Sequence, residues 1–183
     1  MTRVYSIARV ACLMAMLTAA GVAGCAAPAY DETTDKSIST LQNDIDSELI
    51  SLASLGERIE RLRNRDDAAS KKALADALSK ASFDANSASY DKIDLDLTTV
   101  RLRIDAEPNA STENLDAALG SLRDNLFGEK SLRDTHSQED VLHSAYVETE
   151  KQTLDQQLQA LLAYEIVLKK GASSSKSAAD GSQ

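Results

Sequence analysis

The chain has 183 residues, of which 27% are charged and 43% hydrophobic, with a formal net charge of −9. That length fits one domain plus targeting segments, and so acidic a surface lacks the cationic footprint needed for nucleic-acid phosphates or anionic headgroups. Two Phe, five Tyr and no Trp leave leucine and alanine to fill the interior, a mixture typical of packed helices.

Arg3 and Arg9 precede an apolar run of eleven, Val10 to Ala20, and small residues lead from it to Cys25. This is the layout of a cleavable export signal. Val22-Ala23-Gly24-Cys25 resembles the lipobox of bacterial lipoproteins, a likeness confined to the first 25 residues. The resemblance implies cleavage between Gly24 and Cys25, a diacylglycerol on the Cys25 sulfur and a further acyl chain, such as palmitate, on the new amino terminus. At about 0.8 kcal/mol per buried methylene, two or three chains make a stable anchor. Two alternatives stand beside it. Val10 to Ala27 is an uncharged run of 18 residues, near the lower limit for a membrane span. Its Ala and Gly content makes it weakly hydrophobic, and Asp31 and Glu32 follow where a span would carry a basic cluster. Ordinary secretion would leave Cys25 a free thiol.

Cys12 would leave with the signal, so the exported domain would carry no disulfide and depend on its core. Loss of residues 1–24 removes Arg3 and Arg9 but no acid, which takes the formal charge from −9 to −11. Ala26 after the cysteine resembles the default outer-membrane sorting signal of Gram-negative lipoproteins, where Asp would hold the protein at the inner membrane. Residues 25–33 form an acylated tether, whose last eight span at most about 28 Å.

A first helix is expected over Thr34 to Asn64. Ile38, Ile45, Leu52 and Ile59 occupy heptad a positions, and Leu41, Glu48, Leu55 and Leu62 the d positions. Glu48 breaks the seam, Leu49 widens it there, and Gly56 marks close packing or a bend. Asp66 and Asp67 offer caps for a second helical region that runs to Glu107, with a weak stretch at Ser82–Ser89. Within it, Phe83, Tyr90, Leu97 and Ile104 recur every seven residues. Residues 93–104 also alternate strictly, so a hairpin folded at Thr98-Thr99 competes with the helix, although Thr-Thr suits a two-residue turn poorly. Pro108 ends this region.

Ser111 opens a third helix with a Leu115, Ala118, Leu119, Leu122, Leu126 stripe, and Gly128 is placed as its C-cap. After a connection over Glu129–His136, Ser137-Gln-Glu-Asp140 is read as the capping box of a last helix. That helix carries Val147, Leu154, Leu161 and Leu168 seven apart and stops at Gly171, before a disordered tail over residues 171–183. The expected fold is all-α: an elongated antiparallel bundle of three to four helices over residues 34–170, with coiled-coil-like heptads.

Chemistry-bearing patterns are sparse. His136, Asp140 and His143 at i, i+4 and i+7 would share one side of a helix; imidazole and carboxylate are metal ligands, but a fourth is missing, so the pattern reads as a solvated face. Asp94/Asp96 and Glu148/Glu150 sit two apart, which faces different sides of a helix, so they read as surface charge. No nucleophile elbow, Walker loop or dinucleotide fingerprint occurs. The expectation is therefore a non-enzymatic, lipid-anchored envelope protein that binds or scaffolds a protein partner or self-associates, without cofactor or metal. The alternative is a carrier or sensor of a small apolar ligand held between helices.

Overall fold

The computed structural model describes residues 32–106 and 113–180, and within them the side chains of all but residues 113, 114, 164, 165 and 167–180. The signal, Gly24, Cys25, Ala26 and the Pro108 and Ser111 boundaries lie outside the described residues. Six helices follow one another: α1 (Glu32–Arg63), α2 (Ala68–Ala81), α3 (Phe83–Asp105), α4 (Glu113–Phe127), α5 (Leu132–Glu139) and α6 (Ser144–Asp180), with no strand among the described residues.

Most heptad positions of α1 do what their spacing requires. Ile38, Leu41, Ile45, Leu52 and Ile59 are buried, as is Leu49 beside the seam, whereas the d-position Leu55 and Leu62 are only half-buried. The buried residues meet two neighbours. The break-and-continue pair α2–α3 runs back along α1, with Asp76 opposite Arg58 and Lys92 opposite Asp44. On the other flank α6 runs antiparallel to α1, with Ser144 beside Glu60 and Lys151 beside Asp46. α4 closes the ring by packing on α3 and α6. The result is a four-helix bundle of α1, α3, α4 and α6, with α2 and α5 covering one end. Its main core runs the length of the bundle, and a small second cluster of Ile59, Ala77 and Ala81 sits under α2.

Residues 93–104 are helical. Ile93, Leu97, Val100 and Ile104 are buried, while Leu95 and Leu102 point outward and are 65% exposed, so the alternation that imitated a hairpin does not describe the burial. The weak Ser82–Ser89 stretch does break the helical region, at Ser82. This residue is extended (φ −64°, ψ 150°) and caps α3 by accepting from the Ala85 amide at 3.3 Å. Asp67 caps α2 through the Ser70 amide at 2.8 Å.

Three boundaries differ from the sequence reading. α1 starts at Glu32, two residues inside the expected tether. Gly128 does follow α4 directly, as expected of its C-cap, and its amide donates to the Asp124 carbonyl at 2.9 Å, but without a positive φ; the left-handed residue here is Lys130, at φ 60°. The connection over Glu129–His136 contains α5, whose cap is Ser131: the Asp134 amide donates to Ser131 Oγ at 3.2 Å, and Asp134 Oδ2 accepts from the Lys130 amide at 2.8 Å. This is a capping-box variant: the N3 carboxylate reaches the amide just before the cap, while the Ser131 amide donates to the Gly128 carbonyl at 3.4 Å. Ser137, assigned that role from sequence, lies inside α5 and donates to the Asp134 carbonyl. Lastly, α6 does not stop at Gly171 but continues to Asp180, through the first ten residues of the expected tail. A glycine costs about 1 kcal/mol within a helix, too little to end one whose next residues are Ala, Ser and Lys.

Gly56 is a close-approach glycine. A Cβ there would stand 2.9 Å from the Ser144 nitrogen and 3.2 Å from the Leu142 oxygen and the Ser144 Cα, all backbone atoms that cannot swing aside. Gly56→Ala gains about 1 kcal/mol of helix propensity but overpacks the α1–α6 contact at about 1–3 kcal/mol. The expected outcome is a net loss, seen as a lower urea midpoint with unchanged slope.

Candidate functional site

Two places combine polar chemistry with an unusual environment: a buried polar layer at the covered end of the bundle, and an apolar groove on the α1–α6 face.

The polar layer exists because the chain breaks at Ser82, which leaves the last carbonyls of α2 without intrahelical partners. Side chains take up those of Ser79, Lys80 and Ala81. Asn86 Nδ2 donates to the Lys80 and Ser82 carbonyls at 2.9 and 2.8 Å. His136 Nε2 bonds the Ala81 carbonyl at 2.9 Å. Across the break, the Phe83 amide donates to the Asp140 carbonyl at 3.0 Å and to Asp140 Oδ1 at 3.2 Å.

A carbonyl can only accept, so Nε2 carries a proton and donates to it. With the ring's one proton on Nε2, Nδ1 accepts the hydrogen bond that the Tyr90 hydroxyl donates at 3.0 Å. Both rings are wholly buried. Phe83 stacks on Tyr90 at 6.1 Å and meets His136 edge-on at 5.6 Å. Burial, followed by the charge of Glu48, pushes the Tyr90 phenol well above its ordinary range, so it stays an O–H donor.

This placement corrects the solvated-face reading of His136. That reading assumed one helix through residues 136–143. α5 ends at Glu139, Asp140 turns left-handed at φ 59°, and His143 emerges exposed on the far side, 3.9 Å from Glu60. Among the described residues no cluster of three potential ligands could hold a metal ion.

Glu48 occupies the failed heptad position and is only 7% exposed between α1 and α3. Ser89 donates to its carboxylate, while Oε1 is buried and has no hydrogen-bond partner. Desolvation raises its pKa above the ordinary 4.5, outweighing the Ser89 bond that lowers it.

The groove lies between α1 and α6 and encloses about 360 Å³. From α1 it is lined by Ile50, Ala53, Ser54 and Glu57, spaced i, i+3, i+4, i+7. From α6 come Glu148, Lys151, Gln152 and Asp155 in the same spacing. Buried Leu49 and Val147 form the floor. Two antiparallel helices thus present one stripe each to an open trough. Ile50 is 59% exposed on its bank. Lys151 bonds Asp46 at 3.2 Å and Asp155 at 2.9 Å, tying the two banks together. Nothing in the spacing of α1 singled out Ile50 or Ala53, because they lie outside the a/d seam; only the α1–α6 packing brings them opposite Glu148 and Gln152. Glu148 lines the groove and Glu150 does not, in keeping with their offset of two; Asp94 pairs with Arg123 at 3.1 Å and Asp96 with Lys92 at 2.9 Å.

Fold and groove define an all-α bundle with an apolar trough on one face. In comparisons with known proteins, no family model, curated protein or solved structure matches the chain. No described helix is long and apolar enough to cross a membrane.

Proposed function

We propose that this is a lipid-anchored envelope protein whose bundle holds a protein partner at a fixed height above a bilayer, without catalysing a reaction. The observation that carries the partner reading is the α1–α6 trough, an apolar floor with an aliphatic side chain, Ile50, more than half exposed on its bank. Exposed apolar surface rimmed by polar residues is the mark of an interaction site. The anchor rests on the likeness of Val22-Ala23-Gly24-Cys25 to a lipobox. The Tyr90–His136 pair, by contrast, is occupied in joining α2, α3 and α5.

One experiment tests both halves. The membrane-extracted protein is expected to show the mass of residues 25–183 plus acyl chains. Cys25→Ser is expected to abolish the added mass and leave the precursor uncleaved. A photo-crosslinking residue in place of Ile50 is expected to trap a protein neighbour in cells, while one at exposed Glu60 traps none. A water-soluble wild-type product without acyl mass defeats the anchor; equal yields at Ile50 and Glu60 defeat the partner reading.

A second reading has one observation in its favour: about 360 Å³ with an apolar floor is room for a small hydrophobic ligand. A thermal shift on adding extracted lipid, together with no Ile50 crosslink to protein, would support it.

A further inference from the structure

We infer that the occupant of the α1–α6 groove is an amphipathic helix of a partner protein, with one apolar ridge flanked by lysine or arginine. This rests on the partner-binding reading and specifies the partner.

The shape argument comes first. The two banks are helices offering stripes in the same i, i+3, i+4, i+7 register, so the trough between them runs along both axes. A third helix is the element whose side-chain ridge matches such a trough. On the α1 bank the middle positions are Ala53 and Ser54, small enough to let a helix backbone come close, and Ile50 stands beside them as an aliphatic contact. An extended strand would need a free sheet edge, and none exists among the described residues.

Charge then selects the kind of helix. The lining holds three acids, Glu57, Glu148 and Asp155, against one base, Lys151. Lys151 is already drawn between Asp46 and Asp155. Glu57 pairs with Arg61 at 3.0 Å, outside the trough. Glu148 therefore faces the groove as exposed negative charge at its rim. A second copy of this chain, with a formal charge of −9, would approach against repulsion. A helix with basic flanks would approach with attraction and a faster encounter rate.

The test uses the mature acylated protein in phosphatidylcholine nanodiscs, with empty discs subtracted. Three labelled 18-residue peptides are the probes: a Leu/Ala ridge with lysine flanks, the same composition scrambled, and the same ridge with glutamate flanks. Fluorescence anisotropy is expected to show the first binding at least about tenfold tighter than the other two. Ile50→Asp and Ala53→Trp are expected to weaken it by about tenfold or more, and Glu148→Lys to shift preference toward the glutamate-flanked peptide. Circular dichroism checks that each variant keeps its helix content, as the partial exposure of these positions leads one to expect. Equal binding of the scrambled peptide, or no change on Ile50→Asp and Ala53→Trp, overturns the inference, because charge alone would then explain the binding. Concentration-dependent dimerisation abolished by Ile50→Asp overturns it in favour of a second copy. If Ile50 crosslinks a neighbour in cells and the lysine-flanked peptide does not bind, partner binding stands and the basic-helix assignment falls. If neither occurs, both fall.

Discussion

Removing the His136 ring is expected to destabilise the fold by about 3–5 kcal/mol, from a cavity in a fully packed site plus two buried groups left without partners. His136→Ala strands the Ala81 carbonyl, which Nε2 holds at 2.9 Å, and the Tyr90 hydroxyl, which donates to Nδ1 at 3.0 Å. It also takes away the ring that Phe83 meets edge-on. Native domains are stable by only about 5–15 kcal/mol, so the loss is a large fraction of the total. In thermal unfolding it is expected to lower Tm by about 10 °C. Tyr90→Phe leaves Nδ1 without a donor and is expected to cost about 1–3 kcal/mol. The double change His136→Ala/Tyr90→Phe is expected to cost clearly less than the two losses added together, because each removes the same bond. Additive losses would show that the Tyr90–His136 bond contributes nothing.

Glu48→Leu is expected to act in the opposite direction and stabilise the protein by about 1–3 kcal/mol at pH 7, since a buried carboxylate oxygen without a partner is replaced by the residue type its heptad position calls for. The pH dependence has a definite sign. Desolvation raises the Glu48 pKa in the folded chain above 4.5, so between those two values the native state holds a proton that the unfolded chain has released. The Glu48 contribution is therefore most favourable below 4.5 and is lost as pH rises through the folded-state value. The advantage of Glu48→Leu should shrink steadily as pH falls from 7 toward 4.5. Glu48→Gln should follow the same trend with a smaller gain, because it keeps a polar group in place. Urea denaturation of wild type and variants across that range measures it; a gap that widens on acidification refutes the account. A difference between wild type and variant is needed, since Glu150 also has a burial-raised pKa and titrates in both.

Much of this architecture is legible in the sequence. The seven-residue recurrence in α1 and α3 predicts the core, and Ile38, Ile45, Leu52, Tyr90, Leu97 and Ile104 are indeed buried. Periodicity suffices there because burial of one helix face is a local consequence of spacing. It also exposed Glu48 as an anomaly, but not its meaning, which depends on Ser89 and α3 closing over it.

Capping was harder to read. Ser131-Leu-Arg-Asp134 and Ser137-Gln-Glu-Asp140 carry the same serine-to-aspartate spacing, and only the first is used. The choice follows from what the bundle needs at its covered end. Leu132 and His136 must face inward, which starts α5 at Leu132 and places Ser137 within it. Asp140 is then spent on the Phe83 amide, across 57 residues of chain.

Sequence alone thus determined the export and acylation expectation, the acidic balance, the helical class and most of the core, because each depends on composition or on neighbours within two turns. Tertiary structure decided the rest. His136 changed from a surface residue to the buried link among α2, α3 and α5 because its partners lie 46 and 55 residues away. The trough at Ile50 and Ala53 arises only where α6 returns antiparallel beside α1, with Gly56 letting the two backbones touch. Such contacts between distant segments leave no period in the chain, so only the packed bundle reveals them.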